Sequence, residues 1–226
     1  MEYGIVEKGI FCKRLNRFSA IVQVCGKEEV CHVKNTGRLG ELLIPGAEVY
    51  LKFSDSELRK THFDLISVEN QGQIINIDSQ APNKVFGEWV KAGKFRTDVQ
   101  LIRPEFTFGD SRFDFKLECT TNTQFVEVKG VTLLRDGCAY FPDAPTERGV
   151  KHIRGLMRAI EEGYEAAIVF VIQMKGCNAL APNDLTQSEF GKVLREAAAV
   201  GVGIYAYDCY VTENILTIDA PIQVHL

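Results

Sequence analysis

The sequence predicts two domains of different class: a small all-β barrel over residues 1–80, then a mixed-sheet α/β domain over 81–226. Three observations predict this. Before about residue 80, short runs of alternating apolar and polar residues follow one another between Gly, Asn and Asp breaks. After it, apolar residues recur at helical spacing in three segments that are interleaved with strand-like runs. Between the two regimes the stretch IDSQAP (77–82) carries the least pattern, and the boundary is placed there.

The first half contains five candidate strands: IVEKGIFCKRL, SAIVQVCG, EEVCHVK, AEVYLKFS and FDLISVE. Five strands in so short a span suggest an OB-like barrel, with the apolar LGELLIPG plugging one end. SDSELRKTHF (54–63) reads as one turn leading into a strand. In the second half, APNKVFGEWVKAG predicts a helix with Asn83 as N-cap, Val85, Phe86, Trp89 and Val90 as its apolar stripe and Gly93 as its stop. Strands are expected over roughly 95–108, 112–119 and 124–131. The segment FPDAPTERGVKHIRGLMRAIEEG starts a second helix near Asp143 and Pro145 and ends it at Gly163. AAIVFVIQM is a buried strand, DLTQSEFGKVLREAAAVG a third helix, and VGIYAYDCYV a further strand with a short one near Ile215–Ile218. The resulting order, α-β-β-β-α-β-α-β, is a mixed sheet with helices on both faces.

Apolar residues make up 46% of the 226 and charged residues 25%, ordinary values for a chain that buries a core. The formal charge of −4 excludes a broadly basic polyanion binder, so any nucleic-acid surface has to be local. The longest apolar run is too short to span a bilayer, and the N-terminus lacks the pattern of a cleaved leader. Seven scattered cysteines without a CxxC pair fit reduced thiols and a cytoplasmic location.

The chemistry concentrates in SRFDFKLECTTNTQFVEVKGVTL (111–133). On the first strand Phe113, Phe115 and Leu117 share one face and Asp114 lies on the other; on the second, Val126, Val128 and Val131 suggest the core side, while Glu127 and Lys129 point away. A turn at the TTNT run (120–123) brings Asp114 to within about one pair of being opposite Glu127, and a preceding hairpin turning at Gly109 and Asp110 brings Glu105 opposite Asp114. Two carboxylates, Asp114 and Glu127, could hold Mg²⁺ or Mn²⁺, with Glu105 as a further acid. Lys129, two residues after Glu127, could orient an attacking water and stabilise charge on a phosphoryl transition state. The bland reading is a solvated sheet face. Arg148, Lys151 and His152 fall at i, i+3 and i+4 near a helix start and form a candidate phosphate-holding face, against the alternative of a solvated basic surface. In the barrel, Lys13, Arg14 and Arg17 alternate with Phe11, Leu15 and Phe18, as in a single-strand-binding groove or in ordinary strand alternation.

With these residues in place, the chain resembles the SfsA family, the sugar fermentation stimulation proteins. The resemblance runs through NRF (16–18), NTGR (35–38), the IPG turn (44–46), RKT (59–61), SRFDF (111–115), VEVKGVTL (126–133), FPDAPTERGVKH (141–152) and GVGIYAYD (201–208). It implies an OB-like N-terminal domain, a restriction-endonuclease-like C-terminal domain of the PD-(D/E)xK type, and DNA binding with a regulatory role in sugar metabolism. The nuclease motif then maps onto Asp114, Glu127 and Lys129, all intact, with Glu88 or, preferably, Glu105 as the extra acid. One departure is Gly155, where the family usually carries Glu; a glycine inside a helix costs ~1 kcal/mol.

The expected function is therefore DNA binding, single-stranded or duplex, with divalent-metal-dependent phosphodiester hydrolysis. The alternatives are a non-catalytic DNA-binding regulator of sugar-metabolism genes and, more distantly, a hydrolase of a small phosphorylated molecule. No membrane partner is expected, and the sequence leaves room for a homodimer.

Overall fold

In the computed structural model, residues 1–56 and 58–226 are described. The turn expected over 54–63 contains Glu57, which lies outside the described residues. The first domain holds β1 (Val6–Asn16), β2 (Ser19–Val24), β3 (Lys27–Val33), β4 (Glu48–Phe53), β5 (Phe63–Asn70) and β6 (Gln73–Asn76). They pair in the order β3-β2-β1-β4-β5-β6, and a parallel β3–β5 contact closes the first five into a barrel. Closure follows from alternation: Phe11, Ala20, Val22, Cys31, Val33, Val49, Leu51 and Leu65 are buried inside, with polar neighbours outside. Register shifts in β1 between Phe11 and Lys13 and between Arg14 and Asn16 bend that long strand around the wall. Leu39, Leu42 and Leu43 join the barrel core, as a plug would.

The second domain runs α1 (Ala81–Lys91), β7 (Val99–Phe108), β8 (Ser111–Cys119), β9 (Thr123–Val131), β10 (Leu133–Arg135), β11 (Cys138–Phe141), α2 (Glu147–Glu161), β12 (Glu165–Ile172), β13 (Ala179–Pro182), α3 (Asp184–Ala199), β14 (Gly203–Val211), β15 (Leu216–Pro221) and β16 (Gln223–Val224). Its main sheet has the order β15-β14-β12-β9-β8-β7, with β12 parallel to both neighbours and the edges antiparallel. Val85, Phe86 and Val90 of α1 cover one face through Val126, Val128, Val169 and Leu117. Ile153 and Leu156 of α2 and Phe190 and Leu194 of α3 cover the other through Phe125, Ile168 and Phe170. A second sheet, β10-β11-β13-β16, was not expected from the sequence: its strands have two to four residues, too few for alternation to show.

The helix starts also differ from expectation. Pro82 lies in the first turn of α1 with Gln80 as N-cap, so Asn83 is inside the helix and its side chain is released from capping. Thr146 caps α2, its hydroxyl accepting from the Gly149 amide at 3.0 Å. Gly155 sits where α2 lies close on β8: a Cβ there would stand 2.6 Å from Ser111 Oγ and 3.1 Å from Phe113. The glycine therefore has a packing reason.

The domains share one apolar cluster that continues from the barrel into the α2 side of the sheet. A buried polar joint accompanies it. Gln173 donates to Asn76 Oδ1 at 2.8 Å and to the Asp78 carbonyl at 3.0 Å, and Asn76 donates to the Tyr3 hydroxyl at 2.9 Å. The first residues reach the far side of the second domain: Tyr3 N donates to Asn214 O, Leu216 N to Met1 O, and Glu2 bridges Ile215. Among the described residues, no helix is long and apolar enough to cross a membrane.

Candidate active site

The site forms where two paired strands part. β8 and β9 pair from Glu118 and Thr123 up to Phe115 and Val126. Asp114 and Glu127 come next in that register, and there the ladder stops. Instead of a β8 carbonyl, the Val128 amide finds the carboxylate of Asp114, at 2.7 Å. β9 itself stays straight because β12 pairs along its other edge from Gln124 to Val131. The cause is visible in β8, whose alternation breaks at Asp114. Phe115 and Leu117 pack on the α1 side, whereas Phe113 packs with Phe125 on the α2 side. The expectation that Phe113, Phe115 and Leu117 share one face is corrected accordingly. Val131 likewise joins the α2-side cluster, apart from Val126 and Val128.

The face predicted to be wet is covered. Glu127 is only 2% exposed. Its Oε1 accepts from Lys129 Nζ at 2.6 Å and from Nδ1 of His152. His152 Nε2 in turn faces Arg148 Nε at 3.3 Å, which assigns the imidazole proton to Nδ1. Among the described residues, Glu127 Oε2 is buried with no hydrogen-bond partner. On the other side of the notch, Asn83 Nδ2 donates to Asp114 Oδ1 at 2.7 Å. Burial, and then the charge of Glu127, pushes the Asp114 carboxyl above its usual range. Burial also acts to raise Glu127, but the hydrogen bond from His152 and the ammonium of Lys129 outweigh it and hold Glu127 below the usual range.

Known proteins carry the same architecture. The family description "Sugar fermentation stimulation protein RE domain" matches residues 80–215, and "SfsA N-terminal OB domain" matches residues 12–77. The chain belongs to the SfsA family. A sugar fermentation stimulation protein homolog of Desulfitobacterium hafniense is 55% identical over 95% of this chain and 93% of its own length. One from Ruminiclostridium cellulolyticum is 48% identical over the whole of both chains. The solved structure of Pyrococcus furiosus SfsA in complex with Ca²⁺ superposes with a TM-score of 0.91 at 29% identity, over 100% of this chain and 98% of that one.

The remaining predicted residues of this SfsA-family chain separate into several groups. Glu105 falls opposite Asp114, between the pairs Pro104–Phe115 and Phe106–Phe113. Its side chain, however, is exposed and bound to Arg112 at 2.5 Å, so it does not join Asp114 and Glu127. Glu88 is paired with the amino group of Met1 at 2.8 Å. Among the described residues, no group of three or more His, Cys, Asp or Glu side chains is arranged as a metal cage. The expected cationic face of α2 is divided. His152 is buried against Glu127, Lys151 lies 3.4 Å from Asp110, and Arg148 is exposed beside His152. His152 thus supports a carboxylate and is not available to hold a phosphate. In the barrel, all five N–H groups of Arg14 are spent on the carbonyls of Asn16, Arg17, Asn35, Gly37 and Arg38, so it clamps two loops and has no donor left for an anion. Lys13 and Arg17 are exposed. Sequence reasoning missed Asn83 as a site residue; the signal was Pro82, which marks the helix start one residue too early for Asn83 to cap.

Proposed function

We propose that this chain is a divalent-metal-dependent nuclease that hydrolyses DNA phosphodiester bonds at the notch between Asp114 and Glu127. The observation that carries the reading is Glu127 Oε2, a buried carboxylate oxygen without a partner. Leaving a buried charged oxygen unpaired costs free energy, ~1–3 kcal/mol or more, and a site that pays this is built for a ligand. A hard cation answers it. Asp114 and Glu127 offer carboxylate oxygens only, and Mg²⁺ or Mn²⁺ is commonly held by one or two carboxylates with water and substrate phosphate completing the shell. The Ca²⁺ carried by the Pyrococcus furiosus relative is an ion of the same oxygen-seeking class. When bound, such an ion lowers the pKa of a coordinated water and neutralises charge on the phosphate.

The protein groups supply the rest. Asn83 and the Val128 amide fix the Asp114 carboxylate from two directions. His152 and Lys129 hold Glu127 by Oε1 and so leave Oε2 as the atom that would ligate the ion. Lys129, bound to the other oxygen of Glu127, would orient the nucleophilic water and stabilise the developing charge through its ammonium. Arg148, exposed at the start of α2, is placed to hold a neighbouring phosphate.

The test is cleavage of single-stranded and duplex DNA with Mg²⁺ or Mn²⁺ by the wild type, Asp114→Asn and Lys129→Ala. Metal-dependent cutting should fall by ~10²–10³-fold in each variant, the usual loss when a transition-state charge stabiliser is removed. Wild-type binding without cutting would sink the nuclease reading and leave a non-catalytic DNA-binding regulator.

A further inference from the structure

We infer that the cleft between the barrel and the α/β domain is a track for a single nucleic-acid strand, with Arg17, Arg38 and Arg135 as its phosphate contacts. This rests on the nuclease reading and adds the path and form of the substrate. The cleft is made of two cavities, of 550 and 420 Å³, which share Arg17, Thr36, Gly37, Asp143 and Ala144. The second of them also contains Gly130, next to Lys129, and Ser79. Ser79 belongs equally to the hollow that holds Asn83 and Asp114. The cleft therefore runs towards the Asp114 side of the notch.

Its charge is local and in positive excess. Four arginines (14, 17, 38 and 135) face two carboxylates, Glu41 and Asp143, on a chain whose net charge is −4. Among the described residues, Arg17, Arg38 and Arg135 enter no ion pair. Arg14 explains how two of them are aimed. Its guanidinium pins the β1–β2 turn at the Arg17 carbonyl and the 35–38 loop at the Asn35, Gly37 and Arg38 carbonyls. A cleft with an excess of one sign of charge focuses potential and concentrates the opposite ion.

The shape selects a single strand. The two walls come close at Gly37, where an added Cβ would stand 3.0 Å from Asp143 Oδ2. B-DNA, whose major groove alone is ~12 Å wide, is too broad to enter a cleft this narrow. A single strand can lie along it, and it finds half-buried Tyr140 among the lining residues, a ring of the kind on which bases stack.

The test measures binding without cleavage, in Ca²⁺ or EDTA. The probe is a fluorescein-labelled oligothymidylate of ~16 nucleotides, the upper end of a single-barrel site, beside its duplex with oligoadenylate. The Arg17→Ala, Arg38→Ala, Arg135→Ala triple variant replaces three exposed side chains and should keep the fold, checked by circular dichroism. A Lys8→Ala, Lys27→Ala, Lys192→Ala variant carries the same change of net charge elsewhere. The wild type should prefer the single strand, and the arginine triple should lose more than ~10-fold in affinity and about two units of salt slope, with the lysine triple close to wild type. Equal binding by the arginine triple, or a wild-type preference for duplex, would overturn the track while leaving the nuclease reading intact. A wild type that binds neither probe would overturn both.

Discussion

Two carboxylates of this molecule are buried to the same degree, Asp64 in the barrel and Glu127 in the α/β domain, each 2% exposed. Both have cationic partners. Asp64 receives both terminal nitrogens of Arg59, has Lys34 at 3.6 Å, and faces His32 at 3.2 Å, so each of its oxygens is occupied. Glu127 receives Lys129 and His152 on one oxygen and nothing on the other. Burial and ion pairing alone do not separate them. The distribution of donors does: a closed set holds a structure together, and an open one waits for a ligand.

The comparison breaks if the two acids respond alike to loss of their partners. Arg59→Met should destabilise the protein by about 2 kcal/mol in urea unfolding, below the ~3–5 kcal/mol of a fully buried pair because Arg59 is partly exposed and Lys34 remains. Cleavage per folded molecule should not change. Glu127→Gln should do the reverse, removing cleavage while costing no more than ~1 kcal/mol of stability, because the amide oxygen still accepts from Lys129 and His152 and a neutral group replaces the partnerless oxygen. A loss of several kcal/mol would show that Glu127 is a structural acid like Asp64.

Acid titration gives the smallest effect and sharpens the contrast. Burial pushes Asp64 up, but Arg59 and Lys34 outweigh it and hold its carboxyl below the usual range. Its contribution is therefore present above the unfolded carboxyl pKa of ~3.9 and is lost as pH falls through the folded value. Asp114, raised in the fold, has the opposite sign: it binds its proton more tightly folded than unfolded, so its ionisation costs stability as pH rises from ~3.9. Unfolding free energies measured from pH 3 to 6 should show a shallower acid slope in Asp64→Asn and a steeper one in Asp114→Asn. The same slope in both would contradict the assignment.

The barrel strands were legible because their alternation runs over six to eleven residues and each break carries Gly or a polar turn. The helices of the second domain were legible from their apolar stripes. The sequence also showed Asp114, Glu127 and Lys129 as a group, since a hairpin register is a local property. It did not show that β8 peels away at Asp114, because its letters alternate straight through the break. Nor did it show that His152 turns inward or that Arg14 is spent on carbonyls: i, i+4 spacing and a basic letter say nothing of what the other elements bring opposite. The small sheet of β10, β11, β13 and β16 is held by tertiary pairing and leaves no periodic trace.

The path of the first three residues has a consequence for dissection of the molecule. Met1–Tyr3 belong by sequence to the barrel, yet they pair with 214–216 at the outer edge of the other domain, and the Tyr3 hydroxyl sits in the joint with Asn76 and Gln173. A cut near residue 80 would therefore remove an edge segment from the α/β half and open the joint between the halves. The two domains are distinct as architectures but interlocked as a chain, like a buckle whose tongue is moulded onto the opposite strap.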